Sequence, residues 1–125
     1  MISKNFKQEE FKCKCGCGEM RISPTIVLLC QMVRDKFKKP VKITSGCRCK
    51  KHNEKVGGAP LSQHVPKGDE LCHAADIQVD GVEPRYVYGF LNEAFPSTLG
   101  LGIYNNWVHI DDRLDRPYRW DSRKH

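Results

Sequence analysis

With 125 residues and 14.4 kDa, the chain has room for one hydrophobic core and one site, and its 39% hydrophobic and 29% charged residues are those of a folded globular domain. The net charge of +6 and a pI near 9.0 suit a polyanionic surface, either an anionic cell envelope or a nucleic acid, without choosing between them. There is no internal repeat and no membrane-length apolar run, and Met1 to Glu10 lacks the hydrophobic stretch of a secretory signal, so the expectation is a monomeric cytosolic product that another agent must release to any extracellular target.

Phe6 to Ser23 reads as an extended, turn-rich lead-in around Cys13, Cys15 and Cys17. Seven cysteines cannot all pair within one chain, and reduced thiols are the default in a cytosolic product. The C-x-C-x-C run departs from the longer C-x-x-C knuckle of structural zinc sites, so these three residues, like Cys30, Cys47, Cys49 and Cys72, are expected to be plain thiols.

Ser23-Pro24 supplies an N-cap and a first-turn proline, and Ile26, Val27, Leu29, Cys30, Val33 and Phe37 recur at helical spacing, which predicts a helix from Pro24 to about Lys38. Pro40 ends it. Val41 to Thr44 alternates apolar and polar residues and predicts a strand; Ser45-Gly46 then turns the chain into a short helix over 48–55, which Gly57-Gly58 breaks. Residues 65–72 carry Pro66, Gly68 and several charges and predict a surface loop, followed by a second strand over 74–79.

Glu83-Pro84 opens a helix whose Val87, Phe90, Leu91, Ala94 and Phe95 can cover a sheet, and Pro96 stops it. Leu99 to Tyr104 and Trp107 to Asp111 predict a hairpin, its Asn105-Asn106 turn relying on the tolerance of asparagine for positive φ. The sum is a small α+β domain, an antiparallel sheet with helices packed on one face, flanked by a lead-in over 1–22 and a C-terminal tail over 112–125.

A hydrolytic metal site takes three protein ligands and leaves one position open. His64 in Ser62-Gln63-His64, Asp76 between Ala75 and Ile77, and His109 in Trp107-Val108-His109 supply such a set. Alone, each has a structural explanation: a loop histidine, an ion-paired carboxylate, a hydrogen-bonded strand histidine. Asp76 weighs against that reading, because a carboxylate in an otherwise apolar strand needs a counter-charge, and a metal supplies one.

The run Thr44-Ser-Gly-Cys-Arg48, then Val56-Gly-Gly-Ala59, Ser62-Gln-His64, Ala74-Ala-Asp76-Ile77, Gly102-Ile-Tyr104 and Trp107-Val-His109-Ile-Asp111 resembles the D-alanyl-D-alanine carboxypeptidase family of zinc peptidases. That family includes phage endolysins and murein endopeptidases and shares a metal-site fold with the Hedgehog signalling domain. The resemblance runs in order from about Phe11 to Trp120. It implies that His64, Asp76 and His109 bind zinc and that the substrate is a stem or cross-link peptide of peptidoglycan. Arg48 matches the arginine after the family's Ser-Gly-aromatic turn, placed to stabilise an oxyanion or hold a substrate carboxylate, and Ser62 matches a serine that contacts substrate or orients the first histidine.

The chain departs from the family pattern in three places. Residues 65–75 make a longer spacer between His64 and Asp76 than is usual, a tolerable insertion because loop closure cost grows slowly with length. Cys72, or arguably His73, stands where a glycine is usual, and His73 is a competing ligand candidate. The third departure is the general base, which many members carry two or three residues before the last ligand, where this chain has Trp107 and Asn106.

Asp111 points to the same strand face as His109 and is the first candidate for the base, or for a partner that orients His109 or pairs with Arg113. Asp112, Asp69 and Glu70 stand behind it. Two further readings remain at this point: an inactive relative that binds zinc or wall peptide without cutting, and a basic zinc-binding nucleic-acid module built on the cysteines.

Overall fold

Ser23 and Pro24 begin the first helix as the sequence predicts: α1 spans Pro24–Phe37 and buries Ile26, Val27, Leu29, Cys30 and Val33. It stops at Lys38, whose left-handed φ of 54° lets its N–H return to the Arg34 carbonyl two residues before Pro40. The computed structural model describes residues 3–59, 61–66, 70–113 and 116–124. Along this chain follow β1 (Val41–Ser45), α2 (Lys50–Lys55), β2 (Ala74–Val79), α3 (Pro84–Ala94), β3 (Gly100–Ile103), β4 (Val108–Asp111) and β5 (Tyr118–Asp121).

The strands form one sheet in the order β1-β2-β4-β3-β5. Its β1–β2, β2–β4 and β3–β4 pairs are antiparallel, with Ile43 opposite Ile77, Ile77 opposite Val108, and Leu101 opposite Ile110. These alternate residues share one face, where they join the buried side chains of α1 and α3 in a single core. Each such buried aliphatic side chain contributes about 1.5–3 kcal/mol. The short α2 stands apart from this layer: its buried residue is Asn53, which hydrogen-bonds Arg48 and the Ala59 carbonyl.

Four features extend or correct the sequence-based expectations. The tail over 112–125 contains β5, which pairs in parallel with β3, so the sheet is mixed at that edge. The hairpin between β3 and β4 forms, but neither Asn105 nor Asn106 takes a positive φ; the loop is closed by the Tyr104 N–H on the Trp107 carbonyl and by the stacked Tyr104 and Trp107 rings, 4.5 Å apart.

The lead-in is integral to the core, since Phe6 and Phe11, the last residue of the 3-10 turn Gln8–Phe11, are buried in it. Cys47 and Cys72 are disulfide-bonded rather than free. The cysteine that follows the Ser45-Gly46 turn thus bonds the cysteine that stands in the family's glycine position before β2. A long sequence separation hid this pairing.

Candidate functional site

Register decides which side chains meet on the sheet face opposite the core. Asp76 lies opposite His109, and β3 and β5 extend the same row with Gly102 and Trp120. The next row holds Ala74, Asp111, Gly100 and Tyr118. A carboxylate, an imidazole and a second carboxylate therefore share one face because each sits two residues or one strand from the next.

His64 reaches this face from the loop after α2. Its carbonyl accepts from the Arg48 N–H at 2.8 Å, its N–H donates to Ser62 Oγ at 3.2 Å, and its ring Nδ1 lies 2.6 Å from the Gly46 carbonyl. A carbonyl only accepts, so Nδ1 carries the proton and Nε2 presents a lone pair. That Nε2 is buried without a hydrogen-bond partner, 3.3 Å from Asp76 Oδ1.

His109 repeats the arrangement: its Nε2 donates to Asp111 Oδ2 at 2.8 Å, which turns Nδ1 toward Asp76 Oδ1 at 3.0 Å. Two imidazole lone pairs aimed at one carboxylate repel unless a cation stands between them. Tetrahedral zinc with ligand bonds of about 2.0–2.1 Å needs donors about 3.3 Å apart, close to the 3.0 and 3.3 Å observed. His64, Asp76 and His109 are thus a set of donors that fits a metal ion.

The charge states agree with that fit. Burial lowers the His64 pKa and keeps its ring neutral. Burial alone would raise the Asp76 pKa, but the charges and hydrogen bonds of His64 and His109 outweigh it and hold the carboxyl well below the usual range. Burial would likewise lower the His109 pKa, and its contacts with Asp111 and Asp76 reverse this, as two carboxylates facing one ring do.

A cleft of about 790 Å³ opens over these donors, lined among others by Arg48, Ser62, Tyr104, Trp107, Arg113 and Trp120. Arg48 Nε donates to Ser45 Oγ at 3.2 Å, one Nη to Asn53 Oδ1 at 3.2 Å, and the other lies 3.5 Å from Asp76 Oδ2. Its guanidinium is aimed into the cleft by Ser45 and the buried Asn53.

Asp111 is fully buried and both of its oxygens are taken. Arg113 grips it with two hydrogen bonds of 2.7 Å, and His109 Nε2 donates to it as well. Burial opposes ionisation, but Arg113 and His109 hold the carboxyl well below the ordinary carboxylate range. Asp112 faces elsewhere, accepting from Ser23 Oγ at 2.7 Å and pairing with His73 Nδ1 at 2.7 Å, which keeps His73 out of the donor set. Glu70 is exposed beside Arg21, and Asp69 lies outside the described residues.

The sequence profile of peptidase M15 matches residues 4–111. The chain belongs to the peptidase M15 family. Neither a curated protein nor a solved structure matches it. As an M15 metallopeptidase it takes a peptide as substrate, and the His-Asp-His set is the group among its described residues lying in the cleft that could hold a metal ion.

Sequence reasoning missed several parts of this M15 site. Trp120, beyond the matched span, tilts over His109 with ring centres 5.0 Å apart and donates from Nε1 to the Tyr104 hydroxyl at 3.0 Å. Asn53 orients Arg48, and Gly100 and Gly102 are the only residues that fit their positions: a Cβ on Gly100 would collide with the Asp111 carboxylate, and one on Gly102 with the Trp120 indole. The alternating glycines in β3 were the available signal, since a strand interior gives up packing at glycine only where something else needs the space.

Gly102→Ala is accordingly expected to push Trp120 off His109 and to cost about 1–3 kcal/mol, as overpacking does. Thermal melts followed by tryptophan fluorescence check this. An unchanged melting temperature with unchanged emission would mean that the indole does not rest on Gly102.

Proposed function

We propose that this M15 peptidase uses zinc at His64, Asp76 and His109 to hydrolyse stem or cross-link peptides of peptidoglycan, as a D-alanyl-D-alanine-type carboxypeptidase or endopeptidase. The observation that carries the reading is the pair of imidazole lone pairs, His64 Nε2 and His109 Nδ1, converging on the Asp76 carboxylate in the floor of the cleft. Zinc, when bound, supplies Lewis acidity toward a peptide carbonyl and acidifies water.

The other roles belong to the chain itself. Arg48, held by Ser45 and Asn53 and close to Asp76, is positioned to receive a developing oxyanion or a terminal carboxylate. Ser62 orients His64 through the bond from its N–H. Asp111 fixes the tautomer and direction of His109. The aromatic wall of Tyr104, Trp107, Tyr118 and Trp120 offers apolar surface to a short peptide, and the net charge of +6 suits an anionic cell envelope, which the enzyme reaches after release from the cell that makes it.

Arg48→Ala is expected to keep zinc and fold while turnover falls about 10²–10³-fold, the usual cost of losing an oxyanion donor. Arg48→Lys restores little, because an ammonium cannot occupy the fork held by Ser45 and Asn53. Steady-state kinetics with metal analysis on each variant is the check; undiminished turnover would reduce Arg48 to a counter-charge for Asp76.

One observation favours a second reading, a relative that binds wall peptide without cutting. Among the described residues that line the cleft, the carboxylates are Asp76 and Asp111, and both are engaged. Purified muropeptides digested with and without a chelator, with products identified by mass, separate the two. Chelator-sensitive cleavage supports the hydrolase; a zinc-loaded chain that binds muropeptides and cleaves none supports the binding protein.

A further inference from the structure

Four sulfurs gather away from the cleft. Cys13, Cys15, Cys17 and Cys49 place their Sγ atoms within 4.8 Å of one another, with 3.4 Å from Cys13 to Cys15, 3.6 Å from Cys15 to Cys49 and 4.0 Å from Cys13 to Cys49. These separations are too long for disulfides, whose sulfurs lie about 2.05 Å apart. They match a tetrahedron: zinc–sulfur bonds of about 2.3 Å require sulfur–sulfur edges of about 3.8 Å.

The surroundings suit thiolates. The backbone N–H of Cys49 donates to Cys13 Sγ and that of His52 to Cys49 Sγ, each at 3.4 Å, as donors to a negative sulfur do. Lys12, Lys14, Lys50 and Lys51 flank the ligands along the chain and balance a zinc–tetrathiolate of net charge −2. Gly16 and Gly18, with φ of 86° and 90°, bend the loop back on itself, and the Cys13 N–H closes it on the Glu19 carbonyl at 2.7 Å. These glycines let a C-x-C-x-C run do what a longer knuckle does elsewhere. Cys30 is a useful contrast: buried alone in α1, its thiol is pushed up to about 12 by burial and has no companion sulfur among the described residues.

We propose that Cys13, Cys15, Cys17 and Cys49 form a second, structural zinc site, independent of the His-Asp-His group, that clamps the N-terminal lead-in onto the loop bearing Arg48. The four thiols release four protons as one zinc ion binds, with no change of oxidation state. The placement gives the site its purpose. Cys47 is anchored to Cys72 by the disulfide, and Cys49 is anchored by the zinc, so Arg48 is held between two fixed neighbours. The lead-in, which has one 3-10 turn and few strand partners, gains a rigid attachment to the first residue before α2.

The test uses the full chain grown with zinc and then exchanged into cobalt. In His64→Ala/His109→Ala, one zinc per chain is expected to remain, and its cobalt form should carry near-ultraviolet thiolate-to-cobalt charge-transfer bands with the strong visible absorption of a tetrahedral sulfur site. The same ion and bands should be lost in Cys15→Ser/Cys17→Ser, whose two exposed positions leave the core intact. Absence of the charge-transfer bands from His64→Ala/His109→Ala overturns the proposal even if the cysteine variant fails to fold. So does free reaction of all four thiols with a thiol reagent in the native zinc-grown protein.

Discussion

His64→Ala, Asp76→Ala and His109→Ala are each expected to lose one zinc ion per chain and, with it, peptide hydrolysis. A three-residue site reduced to two donors no longer holds its ion against water, and in this chain each donor also sets up the others. Among the described residues Asp76 is the negative partner of both imidazole lone pairs, and it lies 3.5 Å from Arg48, so its removal leaves two neutral rings beside a cation. Removing His64 or His109 leaves the carboxylate with a single ring.

Thermal melts give an independent reading. An ion that binds only the folded state stabilises it by about 4 kcal/mol when present at a thousand times its Kd. The wild type should therefore gain that increment from zinc at this site, and the three variants should not. Zinc per chain by elemental analysis is the primary measurement. A variant that keeps the wild-type zinc content, or still gains the full increment, removes that residue from the ligand set.

The second large effect concerns Asp111, and here two roles make different predictions. A carboxylate that only orients His109 should, in Asp111→Asn, weaken zinc binding by about 10–100-fold. A general base should leave zinc affinity alone and cost about 10²–10⁴-fold in turnover. The geometry favours the first, because Arg113 and His109 occupy both oxygens and hold the carboxyl ionised. The substitution should also destabilise the fold by about 3 kcal/mol, the lower end for breaking a buried ion pair, since Arg113 keeps partial contact with solvent.

The sign with pH follows from linkage. A carboxyl whose pKa is lower folded than unfolded stabilises fully above the unfolded value of about 3.9 and loses that contribution as pH falls through the folded value. The stability gap between wild type and Asp111→Asn should thus be constant near neutrality and close below about pH 4. Asp112→Asn is the control: its contacts with Ser23 and His73 lie away from the cleft, so it should cost stability and leave zinc affinity unchanged. Turnover lost in Asp111→Asn at undiminished zinc affinity would restore the base assignment.

Much of this molecule is legible in its sequence, because the signals are local. Ser23-Pro24 and Pro40 bracket α1, Glu83-Pro84 and Pro96 bracket α3, and two-residue alternation marks β1 and the hairpin strands, whose ends fall within two residues of the expected bounds. Asp76 stood out because an ionised group in an apolar strand is costly without a partner, and that cost is independent of the rest of the fold. The order of motifs from Arg48 to His109 carries the family and, with it, the pairing of His64 with two strand residues far along the chain.

What only the tertiary structure decided depends on register and on distance between remote segments. Periodicity assigns Asp111 to the face of His109 but does not say that Arg113 closes on it, and so left a base and an orienting carboxylate equally open. Trp120 reached the site because β5 pairs in parallel with β3, which no pattern in a four-residue strand encodes. The expectation of plain thiols fails at Cys47 and Cys72 for the same reason, while Cys13, Cys15, Cys17, Cys30 and Cys49 are free of disulfides. Cys47 meets Cys72, and Cys49 meets Cys13, Cys15 and Cys17, across stretches whose closure is set by the core around Phe6 and Phe11 and not by spacing along the chain.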